Sequence, residues 1–124
     1  MEGGCDMVTG IAASALSGLQ AAHTRLSVGT NNVANQFSVN GEAVYQAQRS
    51  EQTALASGGV QSVVQRKDPA TVPLAIDGEP REAPNVNEAE EVMQLQLASY
   101  DFKANLKILE AADKMAEALV DTVA

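Results

Sequence analysis

Reactive side chains are scarce in this sequence. The 124 residues hold one histidine, His23, and one cysteine, Cys5. A thiol nucleophile needs a base within hydrogen-bond reach. Cys5 lies in a Gly-rich start with no histidine nearby, and His23 falls inside a helical pattern beside Ala22 and Arg25, where a packing role is expected. One cysteine closes no internal disulfide and builds no cysteine zinc site. Asp68-Pro69 reads as a turn, with no second carboxylate at the spacing of a general acid/base pair, and Gly58-Gly59 lacks the pattern that cradles phosphate. The expectation is therefore no catalytic residue, no metal ligand set and no cofactor. One charge pattern remains. Asp113, Glu117 and Asp121 recur every fourth residue, with Glu110 alongside. Like charges at that spacing cost about 0.2–0.5 kcal/mol each, and acids near a helix C-terminus oppose its dipole. The row reads first as a solvated face, and second as one that meets a basic partner or lines a water-filled channel.

Composition narrows the function classes further. Eight basic against 16 acidic residues give a net charge of −8, which opposes nucleic acid and anionic membrane surfaces as partners. No apolar run approaches the roughly 20 residues that span a bilayer, so no direct membrane insertion is expected. The first residues lack the basic and apolar regions of a cleavable signal peptide. The hydrophobic fraction is 45%, yet aromatics make up 3%, Trp is absent and 21 residues are Ala. Methyl-sized side chains bury little area at about 25 cal/mol per Å². The composition thus predicts helices that complete their burial against neighbours.

Three segments must position these residues, and the fold class is mainly α with a small β insert. Over 1–35, Ile11, Ala15, Leu19, Ala22, Leu26, Gly29 and Val33 recur at alternating steps of four and three, a heptad stripe. Asp6 or Thr9 is the expected start cap, and Asn31, Asn32 and Asn35 mark the end. The segment 36–85 holds all four prolines, with turn signals at Asn40-Gly41, Gly58-Gly59 and Asp77-Gly78 between short apolar runs. It predicts a β-rich insert, with a hairpin at Asp77-Gly78 and a mobile loop within Glu51 to Gly59. Over 86–124 a long helix is expected, opened by Asn87 and Glu90 at capping-box spacing. It carries two apolar seams. One runs Ala89, Met93, Leu97, Tyr100, Ala104, Ile108, Ala111, Met115, Leu119; the other runs Val92, Leu95, Phe102, Leu106, Leu109. A single partner helix covers one seam, so the surplus predicts burial between subunits.

One end carries Ser14-Ala15-Leu16-Ser17-Gly18-Leu19-Gln20-Ala21, Arg25-Leu26-Ser27-Val28 and Asn31-Asn32-Val33-Ala34-Asn35. The other carries Asn85-Val86-Asn87, Glu90-Glu91-Val92, Tyr100-Asp101-Phe102-Lys103-Ala104-Asn105 and Ala111-Ala112-Asp113-Lys114-Met115. In these motifs the two ends together resemble the flagellar axial family, the rod and hook proteins of the bacterial basal body. Within the family, the short insert and the polar stretch from Gln36 to Tyr45 are similar to those of proximal rod subunits. Between Asp68 and Pro84 the sequence departs from that pattern and is shortened.

The resemblance implies a structural protein rather than an enzyme. It implies terminal helices paired as an antiparallel coiled coil around a central channel, with assembly into the periplasmic rod of the basal body that serves motility. The implied partners are other rod subunits and copies of itself, reached after unprocessed passage through the flagellar type III export apparatus. The expected assembly interface is Leu19, Leu26, Val33, Val92, Leu95, Phe102, Leu106 and Leu109; Asp113, Glu117 and Asp121 are candidates to face the channel. The competing reading is a helical-hairpin adaptor or export chaperone of the flagellar system.

Overall fold

A computed structural model describes residues 2–39 and 44–123. The predicted turn at Asn40-Gly41 lies outside the described residues. Two long helices, α1 (Glu2–Asn35) and α2 (Glu88–Val123), flank four strands: β1 (Gln48–Ala54), β2 (Val60–Arg66), β3 (Thr71–Ile76) and β4 (Glu79–Pro84). The strands form two separate antiparallel hairpins, β1–β2 and β3–β4.

α1 begins earlier than the Asp6 or Thr9 cap predicts. Thr9 instead lies within the helix and donates from Oγ1 to the Cys5 carbonyl at 2.9 Å. Its end at Asn35 falls among the asparagines expected to stop it. α2 opens as the spacing predicts, with the Glu90 amide donating to Asn87 Oδ1 at 3.3 Å. Of the stretch Glu51 to Gly59, within which a loop was expected, Glu51 to Ala54 is strand, because each residue from Gln48 to Ala54 finds a partner between Arg66 and Val60, and the turn is confined to 55–59. The predicted hairpin at Asp77-Gly78 is present. Both residues have positive φ, 53° and 83°, as a two-residue turn matched to strand twist requires.

The helices run antiparallel along their lengths. A Cβ built on Gly4 would lie 3.6 Å from Leu119, one on Gly29 would lie 2.8 Å from Leu95, and one on Gly18 would come within 2.5 Å of Asn105. These three contacts fix the register. The facing residues of α1 are Gly4, Val8, Ile11, Ala15, Gly18, Ala22, Arg25, Gly29 and Asn32; those of α2 are Glu91, Leu95, Ala98, Phe102, Asn105, Leu109, Ala112, Ala116 and Leu119. Both rows step by four and three. Almost every level sets a small residue against a larger one: Gly29 with Leu95, Ala98 with Arg25, Ala22 with Phe102, Gly18 with Asn105, Ala15 with Leu109, Ala112 with Ile11, Ala116 with Val8, Gly4 with Leu119. A slip by one heptad would set Gly18 against an alanine, opening a void, and Ile11 against Leu119 or Asn105, crowding the seam. Both errors are costly in close-packed interiors.

This corrects the sequence-derived seams. Neither predicted run of α2 is the helix–helix seam. The real one takes Leu95, Phe102 and Leu109 from one run and Leu119 from the other, then fills in with Glu91, Asn105 and alanines that an apolar count passes over. On α1 the predicted stripe drifts off the seam at Leu19, Leu26 and Val33, whose places are held by Gly18, Arg25 and Asn32.

The β1–β2 hairpin lies on α1. Its turn comes down on Ser14 and Ser17, and the Val60 amide donates to Ser17 Oγ at 3.1 Å. Gly59 has φ of 83°, and any Cβ there would fall 2.5 Å from Ser17 Oγ, so both conformation and space demand glycine.

The Gly18 level offers a test. Gly18→Val should destabilise the chain by about 1–3 kcal/mol through overpacking. Asn105→Ala in the same chain should recover part of that loss. Urea unfolding of the two single variants and the double variant reads the coupling; additive effects would place Gly18 and Asn105 apart.

Candidate functional site: a polar neck and two uncovered faces

Where the insert joins the helices, one buried asparagine ties three parts of the chain together. Asn32 has no exposed surface. Its amide group donates to the Gln48 carbonyl at 2.7 Å and to Glu91 Oε1 at 3.0 Å. Its carbonyl oxygen accepts from the Tyr45 hydroxyl and from the Gln48 amide, each at 3.0 Å. A side-chain amide has two N–H donors and two lone pairs, and here all four are used.

Glu91, also buried, takes a second partner. Lys67 Nζ lies 3.0 Å from Glu91 Oε1 and donates as well to the Asn85 carbonyl at 3.1 Å. The backbone closes around this group. The Ala70 carbonyl accepts from the amides of Ala47 and Asn85, while the Ala47 carbonyl accepts from the Lys67 amide. The chain entering the insert and the chain leaving it are thus held at one point, and Asn85 Nδ2 reaches the Pro69 carbonyl at 2.8 Å. Burial raises the Tyr45 pKa, and the Glu91 carboxylate raises it further. About two turns along α1 from Asn32, Arg25 Nη1 meets Asp101 Oδ2 at 2.7 Å and Nη2 meets Gln94 Oε1 at 3.1 Å. Asp101 is half exposed, so this pair orients the helices more than it stabilises them.

The residues expected to carry assembly fall into two groups. Leu95, Phe102 and Leu109 are half-buried on the seam within the chain. Leu19, Leu26, Val33, Val92 and Leu106 share one side of the helix pair, opposite the insert; the register sets Leu19 level with Leu106 and Val33 level with Val92. Leu16, half exposed, extends this side. A groove of about 550 Å³ opens there between Val8, Thr9 and Ala12 of α1 and Leu106, Glu110 and Asp113 of α2. The back of α2 forms a second uncovered face with Met93, Leu97, Tyr100, Ile108 and Met115, where Tyr100 is 74% exposed. Glu117 and Asp121 are exposed near the free end of the pair.

His23 and Cys5 are exposed and far apart along α1. Among the described residues no three His, Cys, Asp or Glu side chains converge on a metal position, and no helix is long and apolar enough to cross a membrane. The neck was not read from the sequence. Asn32 was read as a helix-stop residue, and both Asn32 and Glu91 stood within the motifs of the family resemblance, but nothing in the sequence joined them. Lys67 and Tyr45 carry no local pattern that points to either.

Residues 82–122 match the family model described as flagellar basal body rod FlgEFG protein, C-terminal. The match runs from β4 through nearly all of α2. It covers about a third of the chain and supports a rod-type structural role for that part. No curated protein matches the chain.

Two outcomes follow from the neck. Lys67→Met leaves Glu91 buried with half its partners, and should cost about 3–5 kcal/mol in urea unfolding; adding Glu91→Gln should return part of it. Tyr45 sets a pH dependence. With its native pKa above the ordinary 10.0, the folded chain holds the phenol proton longer than the unfolded chain does. The stability from Tyr45 is therefore full below pH 10 and is lost as pH rises through the native value. Thermal melts of Tyr45→Phe should show a flatter alkaline decline than the parent; an identical decline would refute this.

Proposed function

We propose that the chain is a subunit of the flagellar proximal rod, of the FlgC type, assembling with itself and with other rod subunits into the drive shaft for motility. One observation carries this reading. The residues on which the family resemblance rests, at opposite ends of the sequence, meet in pairs: Gly18 with Asn105, Arg25 with Asp101, and Asn32 with Glu91. Two signatures whose paired residues lie 59 to 87 positions apart have a common purpose if their role is to build one helix pair, as a rod subunit requires.

The heptad steps on both facing rows support an antiparallel coiled coil. Passage unprocessed through the type III export apparatus fits a chain held by small side chains and a single polar neck, with Cys5 free. In the assembled rod, Leu19, Leu26, Val33, Val92 and Leu106 meet neighbouring subunits. Leu95, Phe102 and Leu109 act one step back, holding the helices that present those residues. Asp113, Glu117 and Asp121 face the channel, where water meets the repulsion between their carboxylates.

Peptide mass spectrometry on purified hook–basal bodies of the source organism tests the reading. The chain should be present at several copies per basal body. Its absence there, with the chain retained in the cytoplasm as part of a small discrete complex, would overturn the proposal in favour of an adaptor or export chaperone. Leu19→Asp with Leu26→Asp should abolish swimming in soft agar without lowering the cellular level of the chain.

A further inference from the structure

The two hairpins treat their edges differently. In an antiparallel pair, successive residues alternate between turning their main-chain groups to the partner strand and turning them outward. The two-residue turn at Asp77-Gly78 makes Ile76 and Glu79 a bonded pair, and the alternation continues to Ala70, whose carbonyl accepts from the Asn85 amide. Thr71, Pro73 and Ala75 of β3 therefore turn outward, as do Pro80, Glu82 and Pro84 of β4. Every proline of this hairpin stands where an N–H would otherwise face an arriving strand. Both of its edges are blunted.

The β1–β2 hairpin has no such guard. The Leu55 amide donates to the Gly59 carbonyl and the Lys67 amide to the Ala47 carbonyl. The odd-numbered residues thus pair inward, and Gln48, Ser50, Gln52 and Ala54 turn outward along β1. None of the four is proline or charged. The first position is already filled. Asn32 donates to the Gln48 carbonyl at 2.7 Å and accepts from the Gln48 amide at 3.0 Å, the same two bonds that one residue of an added antiparallel strand makes. Among the described residues, the outward main-chain groups of Ser50, Gln52 and Ala54 have no partner.

This edge also has a wall beside it. Gln48 and Ser50 share a pocket of about 150 Å³ with Glu90 and Gln94 of α2. From Gln94, the residues Leu97, Asp101, Ala104 and Ile108 follow at steps of three and four, so they hold the same side of the helix. Leu97 and Ile108 are 48% and 45% exposed. The hairpin runs along α1 from Asn32 to Ser14 and Ser17, the length of the pair that this row covers. β2 begins instead on α1, where Ser17 Oγ accepts from the outward Val60 amide.

We infer that β1 takes up an extended peptide segment of a partner protein as a third strand, laid in the channel between β1 and α2. Main-chain bonds to Ser50, Gln52 and Ala54 hold the segment, and its alternate side chains meet Leu97 and Ile108. A stretch of about five residues covers these positions at about 3.4 Å each. It is apolar at alternate positions and free of proline where it faces β1. The inference uses the strand register alone and stands whether or not the chain is a rod subunit.

The probe is a capped hexapeptide of alternating threonine and valine, added to the full chain labelled with nitrogen-15. At saturating peptide, exchange of the Ser50, Gln52 and Ala54 amides should slow at least tenfold. The inward Glu51 and Thr53 amides, already bonded to β2, should change little. The same peptide methylated at its amides should give no protection. Gln52→Pro closes the edge as the prolines close β3 and β4, without removing a ladder bond, and should weaken binding at least tenfold with unchanged circular dichroism. If that variant unfolds, Leu97→Glu leaves β1 intact and should weaken binding to the same degree. No protection at millimolar peptide, protection that misses these three amides, equal protection by the methylated peptide, or undiminished binding in a folded variant would each overturn the proposal.

Discussion

Asn32 can be satisfied in only one arrangement of this chain. Fully buried, it needs partners for two donors and two lone pairs, and leaving any one of them unmet costs about 1–3 kcal/mol. Those partners come from Gln48, Tyr45 and Glu91, which lie on the insert, the segment leading into it, and the second helix. The insert therefore docks only when α2 is present, and α2 is placed along α1 by the same side chain. Lys67 extends the condition to the far end of the insert through Glu91 and the Asn85 carbonyl. A buried polar group is often a weak source of stability. Here it sets position, the role best attested for a lone polar residue in a helix seam.

Away from the neck the register is carried by size. The seam has few large apolar residues, and its Gly and Ala positions are shared between the helices, so that most bulky side chains meet a gap. Such a pair brings the backbones close while burying modest area, consistent with a protomer whose burial is completed by neighbours. It also leaves the larger apolar side chains outside. Leu16, Leu97, Tyr100 and Ile108 are each at least 45% exposed, an arrangement that suits a part made for assembly and would be a liability in a protein that stays alone.

Much of the fold was legible from local pattern. Long runs of helical period at both ends, a capping asparagine before an acidic turn, and Asp77-Gly78 between apolar runs each specify an element from a few adjacent residues. The existence of surplus apolar surface was legible too, since one helix cannot cover two seams. Which seam pairs within the chain was not. That choice depends on glycines of α1 making room for Leu95, Asn105 and Leu119, a fact about two distant segments that neither periodicity records. The neck was hidden for the same reason: Lys67 and Glu91 are ordinary charged residues until the fold buries them side by side. Residues quoted for the family resemblance did foreshadow it, because Asn32, Glu91, Gly18 and Asn105 all stand within those motifs.

The central physical claim is a single helix register, set by the neck and by the alternation of large and small residues. Spin labels at Ala13 and Gln96, in a chain carrying Cys5→Ser, measure it directly by pulsed dipolar spectroscopy. A slip of seven residues would move the labels about 10 Å along the helix axis at 1.5 Å per residue. The account predicts one narrow distance distribution in the parent, and a second population displaced accordingly when Asn32→Leu opens the neck. Two populations in the parent would contradict it, showing that the helices slide and that neither the neck nor the size pairing fixes where they stop.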